Sequence, residues 1–103
     1  MKIWIDDLRN PRQHGKPDYL WFTEPDMVMS FLDQNIITAI SFDHDLGEGR
    51  LTGYDIAKYI EELAATGRHQ RIEWTIHSSN PVGRTNIELA MMQADRYWDE
   101  IRG

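Results

Sequence analysis

Apolar residues fall into four short runs that alternate with amphipathic stretches. Residues 2–5 form a run that ends at an acidic pair, and residues 19–22 form a second run. Residues 36–42 form the longest nearly continuous run, which is typical of a strand buried on both faces. Residues 71–76 alternate strictly between apolar and polar, which predicts a strand at the edge of a sheet.

Three further stretches carry apolar residues at helical spacing. The first helix is predicted to start at a Thr23 cap, with Pro25 in its first turn. The second covers residues 54–66 and is followed by Gly67, where a C-terminal cap belongs. The third opens near Gly83 and continues to the C-terminus.

Strands that alternate with helices predict an open parallel α/β sheet in a single domain spanning residues 1–103. Placing the acid-terminated first and third strands centrally and the alternating fourth at an edge yields the order 2-1-3-4. This order forms part of the flavodoxin-like fold, here with about three helices. Residues 8–17 are predicted to be loop. They make a short link between parallel strands, so the direction of the first pairing stays open.

The composition of the chain excludes several classes of functional site and binding partner. The chain has 103 residues, no cysteine and a formal net charge of −6. Disulfides, zinc–thiolate sites and thiol nucleophiles are therefore excluded. There is no basic surplus for an extended nucleic-acid surface, but a small phosphate ester or a metal among carboxylates remains open. No apolar run approaches the roughly 20 residues of a membrane span. We expect a cytoplasmic protein with no membrane partner, and the oligomeric state is left open.

Carboxylates collect where the two predicted central strands end. The first strand runs into Asp6 and Asp7, and the third into Asp43 and Asp45. Neighbouring strands lie about 5 Å apart, so these like charges either take up protons or bind a cation. Mg²⁺ or Mn²⁺ suits such a site, and we predict Asp6, Asp7 and Asp43 as its ligands. An aspartate after a strand is also a common turn former or helix cap.

Two histidines follow apolar runs at the same predicted edge. His44 and His77 are each a candidate general acid or base, a metal ligand or a hydrogen-bonded structural residue. We favour His77, because a serine pair, an amide and a helix start follow it. Asp45, beside His44, is counted with the catalytic candidates, either as a further ligand or as support behind the ligands.

Residues near the last helix suit a phosphate. Free amides around Gly83 make an anion seat at the helix N-terminus, and Arg84 adds a charge-assisted fork. Ser78 and Asn80 are expected to steady phosphoryl oxygens. Arg9 is either a ligand clamp or a salt-bridge partner of the acidic pair. The alternative for the helix start is an ordinary junction capped by Asn80 or Thr85.

Four motifs together resemble those of the cyclic-phosphate processing receiver-like domains. They are, in order, Asp-Asp-Leu-Arg-Asn-Pro (6–11), Asp-His-Asp-Leu-Gly (43–47), Thr-Gly-Tyr-Asp (52–55) and His-Ser-Ser-Asn-Pro-Val-Gly (77–83). The resemblance spans nearly the whole chain and implies a receiver-derived α/β fold. It also implies metal-assisted processing of cyclic phosphates, either RNA 2′,3′-cyclic ends or cyclic nucleotides.

An ordinary phosphoryl-switching receiver also carries a lysine after a fifth strand. This chain has only Lys2, Lys16 and Lys58 and no predicted fifth strand. The leading hypothesis is therefore a metal-dependent phosphoesterase for a small cyclic-phosphate ligand. The alternatives are a non-catalytic module that binds a phosphorylated nucleotide and a receiver-like domain that binds a protein partner.

Overall fold

Four strands and three α-helices follow one another in the order that the hydrophobic pattern predicts. The computed structural model describes residues 1–47 and 49–102. The elements are β1 (Lys2–Ile5), β2 (Leu20–Phe22), α1 (Pro25–Asp33), β3 (Ala39–Phe42), α2 (Gly53–Ala65), β4 (Glu73–Ile76) and α3 (Pro81–Arg102). No helix within the described ranges is both long and apolar enough to cross a membrane.

The strands form one parallel sheet in the order β2-β1-β3-β4, which confirms the predicted topology. Ile5 pairs with Phe22 on one side and with Phe42 on the other. Phe42 in turn pairs with Ile76 of the edge strand. The carboxyl ends of all four strands are in register, so the loops that follow these strands emerge along one edge.

The segment between β1 and β2 is not a plain loop, contrary to the prediction for residues 8–17. It contains a 3₁₀ helix, Pro11–His14, whose first turn is capped when the Asn10 side chain accepts from the Arg12 amide. Gly15 closes this turn with a φ of 75°, a left-handed conformation that glycine adopts without strain. This compact turn lets a short connection join two parallel strands.

The α-helices form a single layer. α1 contacts α2, and α2 packs along α3, so all three lie side by side on one face of the sheet. Ile3, Ile5 and Phe42 belong to the core between this layer and the sheet. Trp4 and Ser41 alternate with them along β1 and β3 and are buried on the opposite face, which carries no α-helix.

Two helix starts differ from the predictions. The N-cap of α1 is Glu24, which makes no side-chain cap bond, instead of Thr23. Pro25 at the first helical position explains this, because the residue before a proline is extended and the missing N–H needs no partner there. α3 likewise begins at Pro81, two residues earlier than the predicted Gly83.

The start and end of α2 follow the sequence closely. Thr52 and Asp55 form a reciprocal capping box, in which each side chain accepts from the other's backbone amide. Gly67, with a φ of 67°, follows the last turn as predicted. α2 is therefore held at both ends by local interactions.

His69, in the connection from α2 to β4, is a buried histidine away from the carboxyl edge. Its Nδ1 donates to the Gln70 carbonyl at 2.7 Å, and within the described residues its Nε2 has no hydrogen-bond partner. The side chain is only 3% exposed, and burial lowers its pKa. The folded protein therefore keeps this imidazole neutral.

Acidification from pH 7 to pH 5 is expected to reduce the free energy of unfolding. The unfolded chain takes up a proton at residue 69 near pH 6.5, whereas the folded protein resists this until the pH is lower. His69→Gln should flatten the pH dependence, measured by urea unfolding at stepped pH. A part of the slope will remain, because another buried histidine has a pKa shift of the same sign. An unchanged slope in the variant would contradict the prediction.

Candidate functional site

Polar side chains from three strand ends meet at the carboxyl edge of the sheet. The backbone ladder continues past the strands, since the Asp43 amide donates to the Ile5 carbonyl at 3.0 Å. The His77 amide donates in the same way to the Phe42 carbonyl at 2.9 Å. Asp43 and His77 therefore enter the site in fixed register with Asp6, at the edge where open parallel sheets bind ligands.

Asp6, Asp7 and Asp43 form an acidic cluster. Each offers a carboxylate oxygen, and these oxygens all lie within 4.8 Å of one another. Asp6 and Asp43 are buried, and Asp7 is half-buried. Burial, followed by the Asp6 carboxylate, raises the pKa of Asp43, while the Ser78 hydroxyl and Arg9 lower it. The fully ionised cluster is therefore unfavourable on its own.

The donor set of this cluster fits a hard divalent cation. Mg²⁺ and Mn²⁺ prefer carboxylate oxygens, and one or two carboxylates with remaining waters are the usual arrangement for Mg²⁺. Two ligands of one octahedral Mg²⁺ lie at most about 4.2 Å apart. The 4.8 Å limit on the separations within the cluster is of the same order, so binding one ion would draw the three oxygens closer together.

Asp6 is the most firmly held of the three acids. Its Oδ1 accepts from the amides of Leu8 and Arg9 at 2.7 and 2.9 Å. Its Oδ2 faces His77 Nε2 at 3.0 Å. Both carboxylate oxygens therefore have fixed partners, and because Oδ1 already accepts two hydrogen bonds, the lone pair left for a cation is on Oδ2.

His77 is largely buried between Asp6 of the acidic cluster and the Trp4 and Ser41 side chains. Its Nδ1 is 2.8 Å from Ser41 Oγ, and its ring stacks on Trp4 with centroids 3.7 Å apart and planes inclined by 5°. Burial lowers the pKa of His77 to about 4, although its hydrogen bond to the Asp6 carboxylate opposes that shift. The imidazole is thus neutral at physiological pH.

His44 occupies a different position, against the start of α3. Its Nδ1 lies 3.0 Å from Asp45 Oδ1, and Asn80 Nδ2 is 3.5 Å from the other Asp45 oxygen. A Cβ at residue 83 would come within 2.2 Å of His44 Cγ, so only glycine leaves room for this ring. Gly83 therefore has a steric role that the sequence does not reveal.

Gly53 allows the corresponding approach at the start of α2. A Cβ there would lie 2.1 Å from the Asp43 carbonyl oxygen, and the Gly53 amide donates to the His44 carbonyl at 2.9 Å. The Thr-Gly pair of the third motif thus caps α2 and seats it against the end of β3. Helix packing in this way fixes the backbone of Asp43.

Arg9 is the predicted phosphate-binding residue that lies beside the cluster. Its guanidinium donates to the His77 carbonyl at 2.9 Å and lies 3.5 Å from Ser79 Oγ. Ser78, in contrast, is buried and already engaged, because its hydroxyl accepts from the Asn80 amide at 3.1 Å. Its hydroxyl also lies close enough to the Asp43 carboxylate to lower the pKa of that group.

Two predicted anion-binding groups have other partners. The Gly83 amide donates to Asn80 Oδ1 at 2.9 Å, so the predicted anion seat requires Asn80 to release it. The Arg84 side chain donates to the Ile76 carbonyl at the sheet edge, also at 2.9 Å. The structure therefore does not bring Arg84 together with the acidic cluster, and the capping role considered for Asn80 is the one observed.

Sequence patterns did not single out Trp4, Ser41 or Thr75, although all three support the site. They occupy one row across the sheet, since Trp4 pairs with Ser41 and Ser41 with Thr75. The period-two alternation of β-strands places this row on the same face as residues 6, 43 and 77. The signal becomes visible only when the strand register is known.

Comparison with known families is in accord with this arrangement. The family model described as "Cyclic-phosphate processing Receiver domain" matches residues 1–93, almost the whole chain. The resemblance seen in the four motifs is thereby confirmed. Searches of curated proteins and of solved structures gave no significant match.

Asp43→Asn is expected to raise the thermal unfolding midpoint of the metal-free protein. The substitution removes a buried charge that faces Asp6 and keeps the shape of the side chain, so the repulsion disappears. Differential scanning calorimetry with EDTA measures the change, with the exposed Asp45→Asn as a control expected to shift little. A lower midpoint for Asp43→Asn would contradict the prediction, because it would mean that charge repulsion between Asp43 and Asp6 does not destabilise the folded protein.

Proposed function

Because the chain belongs to the family of cyclic-phosphate processing receiver domains, we propose that it is a metal-assisted phosphoesterase acting on small cyclic phosphates. The observation that carries this proposal is the cluster of Asp6, Asp7 and Asp43, whose ligand oxygens lie within 4.8 Å of one another. These three residues would hold Mg²⁺ or Mn²⁺. When bound, such an ion supplies Lewis-acid polarisation of a phosphoryl oxygen.

His44 and Asp45 are suited to proton transfer. An ionised Asp45 only accepts hydrogen bonds, so the proton of His44 lies on Nδ1, and Nε2 keeps its lone pair. As a general base, Nε2 takes a proton from the attacking water while the water oxygen bonds to phosphorus. One ring P–O bond then breaks, and the leaving oxygen receives the proton from the same nitrogen.

Arg9 and Ser79 are the groups we assign to the non-bridging phosphate oxygens. Arg9 keeps N–H donors beyond those used on the His77 carbonyl and Ser79. Its positive charge lies close enough to the cluster to lower the pKa of Asp43. The chain carries a net charge of −6, which favours a small ligand over a long phosphate backbone. Cyclic nucleotides with a 2′,3′ or a 3′,5′ ring meet this requirement, and an RNA 2′,3′-cyclic end meets it where only its terminal nucleotide is bound.

Purified protein with Mg²⁺ or Mn²⁺ is expected to open the ring of a cyclic phosphate, with EDTA abolishing turnover. A panel of 2′,3′- and 3′,5′-cyclic nucleotides, followed by phosphorus NMR, identifies the product and the bond cleaved. Asp43→Asn should lose activity, and Asp26→Asn, an exposed acid on α1, should retain it. Nucleotide binding without any product would indicate a binding module instead. Unfolding midpoints indifferent to metal and nucleotide would favour a domain that binds a protein partner.

His44→Gln is expected to lower kcat by about 10²-fold or more, because it removes the general base. Metal affinity should stay close to that of the wild type, since His44 is not among the three proposed ligands. Steady-state kinetics and titration with Mn²⁺ separate these effects. Loss of metal binding with kcat preserved at saturating metal would assign His44 to the metal instead.

A further inference from the structure

The His77 imidazole uses both ring nitrogens within the protein. Nε2 lies 3.0 Å from Asp6 Oδ2, and Nδ1 lies 2.8 Å from Ser41 Oγ. The ring is stacked on Trp4, and Arg9 binds the His77 backbone carbonyl. The side chain is only 15% exposed. Its position is therefore set by both ring nitrogens, by the Trp4 ring on one face and by the Arg9 contact at its backbone.

The partners of this ring determine where its proton lies. The buried Asp6 carboxylate accepts hydrogen bonds, so Nε2 carries the proton and donates it to Oδ2. Nδ1 is then an acceptor, and the Ser41 hydroxyl donates to it. Thr75 Oγ1 lies 2.9 Å from Ser41 Oγ and donates to that oxygen in turn. Thr75, Ser41, His77 and Asp6 thus form one directed chain of hydrogen bonds.

This series of hydrogen bonds holds the second carboxylate oxygen of Asp6, Oδ2. Two backbone amides already hold Oδ1, and those amides are present whatever the side chains nearby. His77 alone among the described side chains donates to Oδ2. With Oδ1 saturated by two amides and Oδ2 held by His77, the one lone pair left on Oδ2 has a defined direction, which is what a cation with strict geometry requires.

We propose that His77 is a positioning residue for the cation site, with Ser41 and Thr75 selecting the tautomer that donates to Asp6. This inference rests on the proposed function in one respect, that Asp6 ligates the cation. It differs from the sequence-based prediction of His77 as a general acid or base, because it leaves proton transfer to His44. In this role the His77 ring holds Asp6, a proposed ligand of the cation, in place and makes no contact of its own with the substrate.

The glutamine variant separates the two roles. His77→Gln can place an amide N–H close to the position of Nε2 but offers no nitrogen that exchanges protons. We expect it to keep Mn²⁺ affinity within about threefold and most of kcat. His77→Phe keeps the stacking on Trp4 but removes the donor, and should weaken Mn²⁺ binding by about 10- to 100-fold. Loss of kcat in His77→Gln with unchanged affinity would overturn the proposal in favour of proton transfer.

Thr75 provides a matched pair at a solvent-exposed position. Thr75→Val keeps the shape and removes the hydroxyl, whereas Thr75→Ser keeps the hydroxyl. We expect a measurable loss of Mn²⁺ affinity only in Thr75→Val, and a larger loss in Ser41→Ala. Calorimetric titration of folded protein measures the affinity, and unfolding midpoints without metal show how far each variant is merely destabilised. Equal affinities across this series and His77→Phe would overturn the positioning role.

Nitrogen-15 NMR of the metal-free wild-type protein tests the proposed tautomer of His77 in the absence of any cation. The His77 ring should show a protonated Nε2 and an unprotonated Nδ1, and Ser41→Ala should disturb this pattern. A protonated Nδ1 would overturn the inference alone, with the proposed function intact. Wild-type protein that binds no divalent cation would overturn both, so the two failures are distinguishable.

Discussion

Parallel pairing of β1 with β3 forces the carboxylates of Asp6 and Asp43 to share one edge of the sheet. The ladder extends beyond both strands, since the Asp43 amide donates to the Ile5 carbonyl. Both side chains are buried, so neither escapes the other by turning to water. Folding thus creates a local excess of negative charge that Arg9 and the Ser78 hydroxyl only partly offset. The chemistry proposed for the site follows from this imbalance, because a bound divalent cation would relieve it.

The parts of the site predictable from sequence are those that depend on strand ends. Asp6, Asp7 and Asp43 directly follow apolar runs, and the sheet order that brings them together follows from the central or edge character of each run. The edge position of β4 was visible in its alternation, and the end of α2 in the glycine, Gly67, that follows its apolar pattern. All these features are local in sequence, so periodicity and turn chemistry are sufficient to find them.

Features that depend on which side chain reaches which neighbour were not predictable in this way. Arg84 is next to Gly83 in sequence, yet its guanidinium binds a carbonyl of β4 at the sheet edge. The requirement for glycine at residue 83 comes from the ring of His44, which lies 39 positions earlier. Ser41 and His77 approach only because β3 and β4 pair in one register. Each contact requires a tertiary arrangement that no local pattern encodes.

The short connection between β1 and β2 explains why the opposite face of the sheet can support the site. Parallel sheets commonly carry helices on both faces, which would place residues 4, 41 and 75 in an apolar core. Here the connection of residues 6–19 contains a short 3₁₀ helix and no α-helix, and the three α-helices all lie on the other face. The face left free is covered around Trp4 by the rings of His77 and His14. The polar residues Ser41 and Thr75 are therefore tolerated on this face of the sheet. The short connection between β1 and β2, which left the direction of the first strand pairing open in the sequence, thus also leaves room for the hydrogen bonds that link Thr75, Ser41, His77 and Asp6.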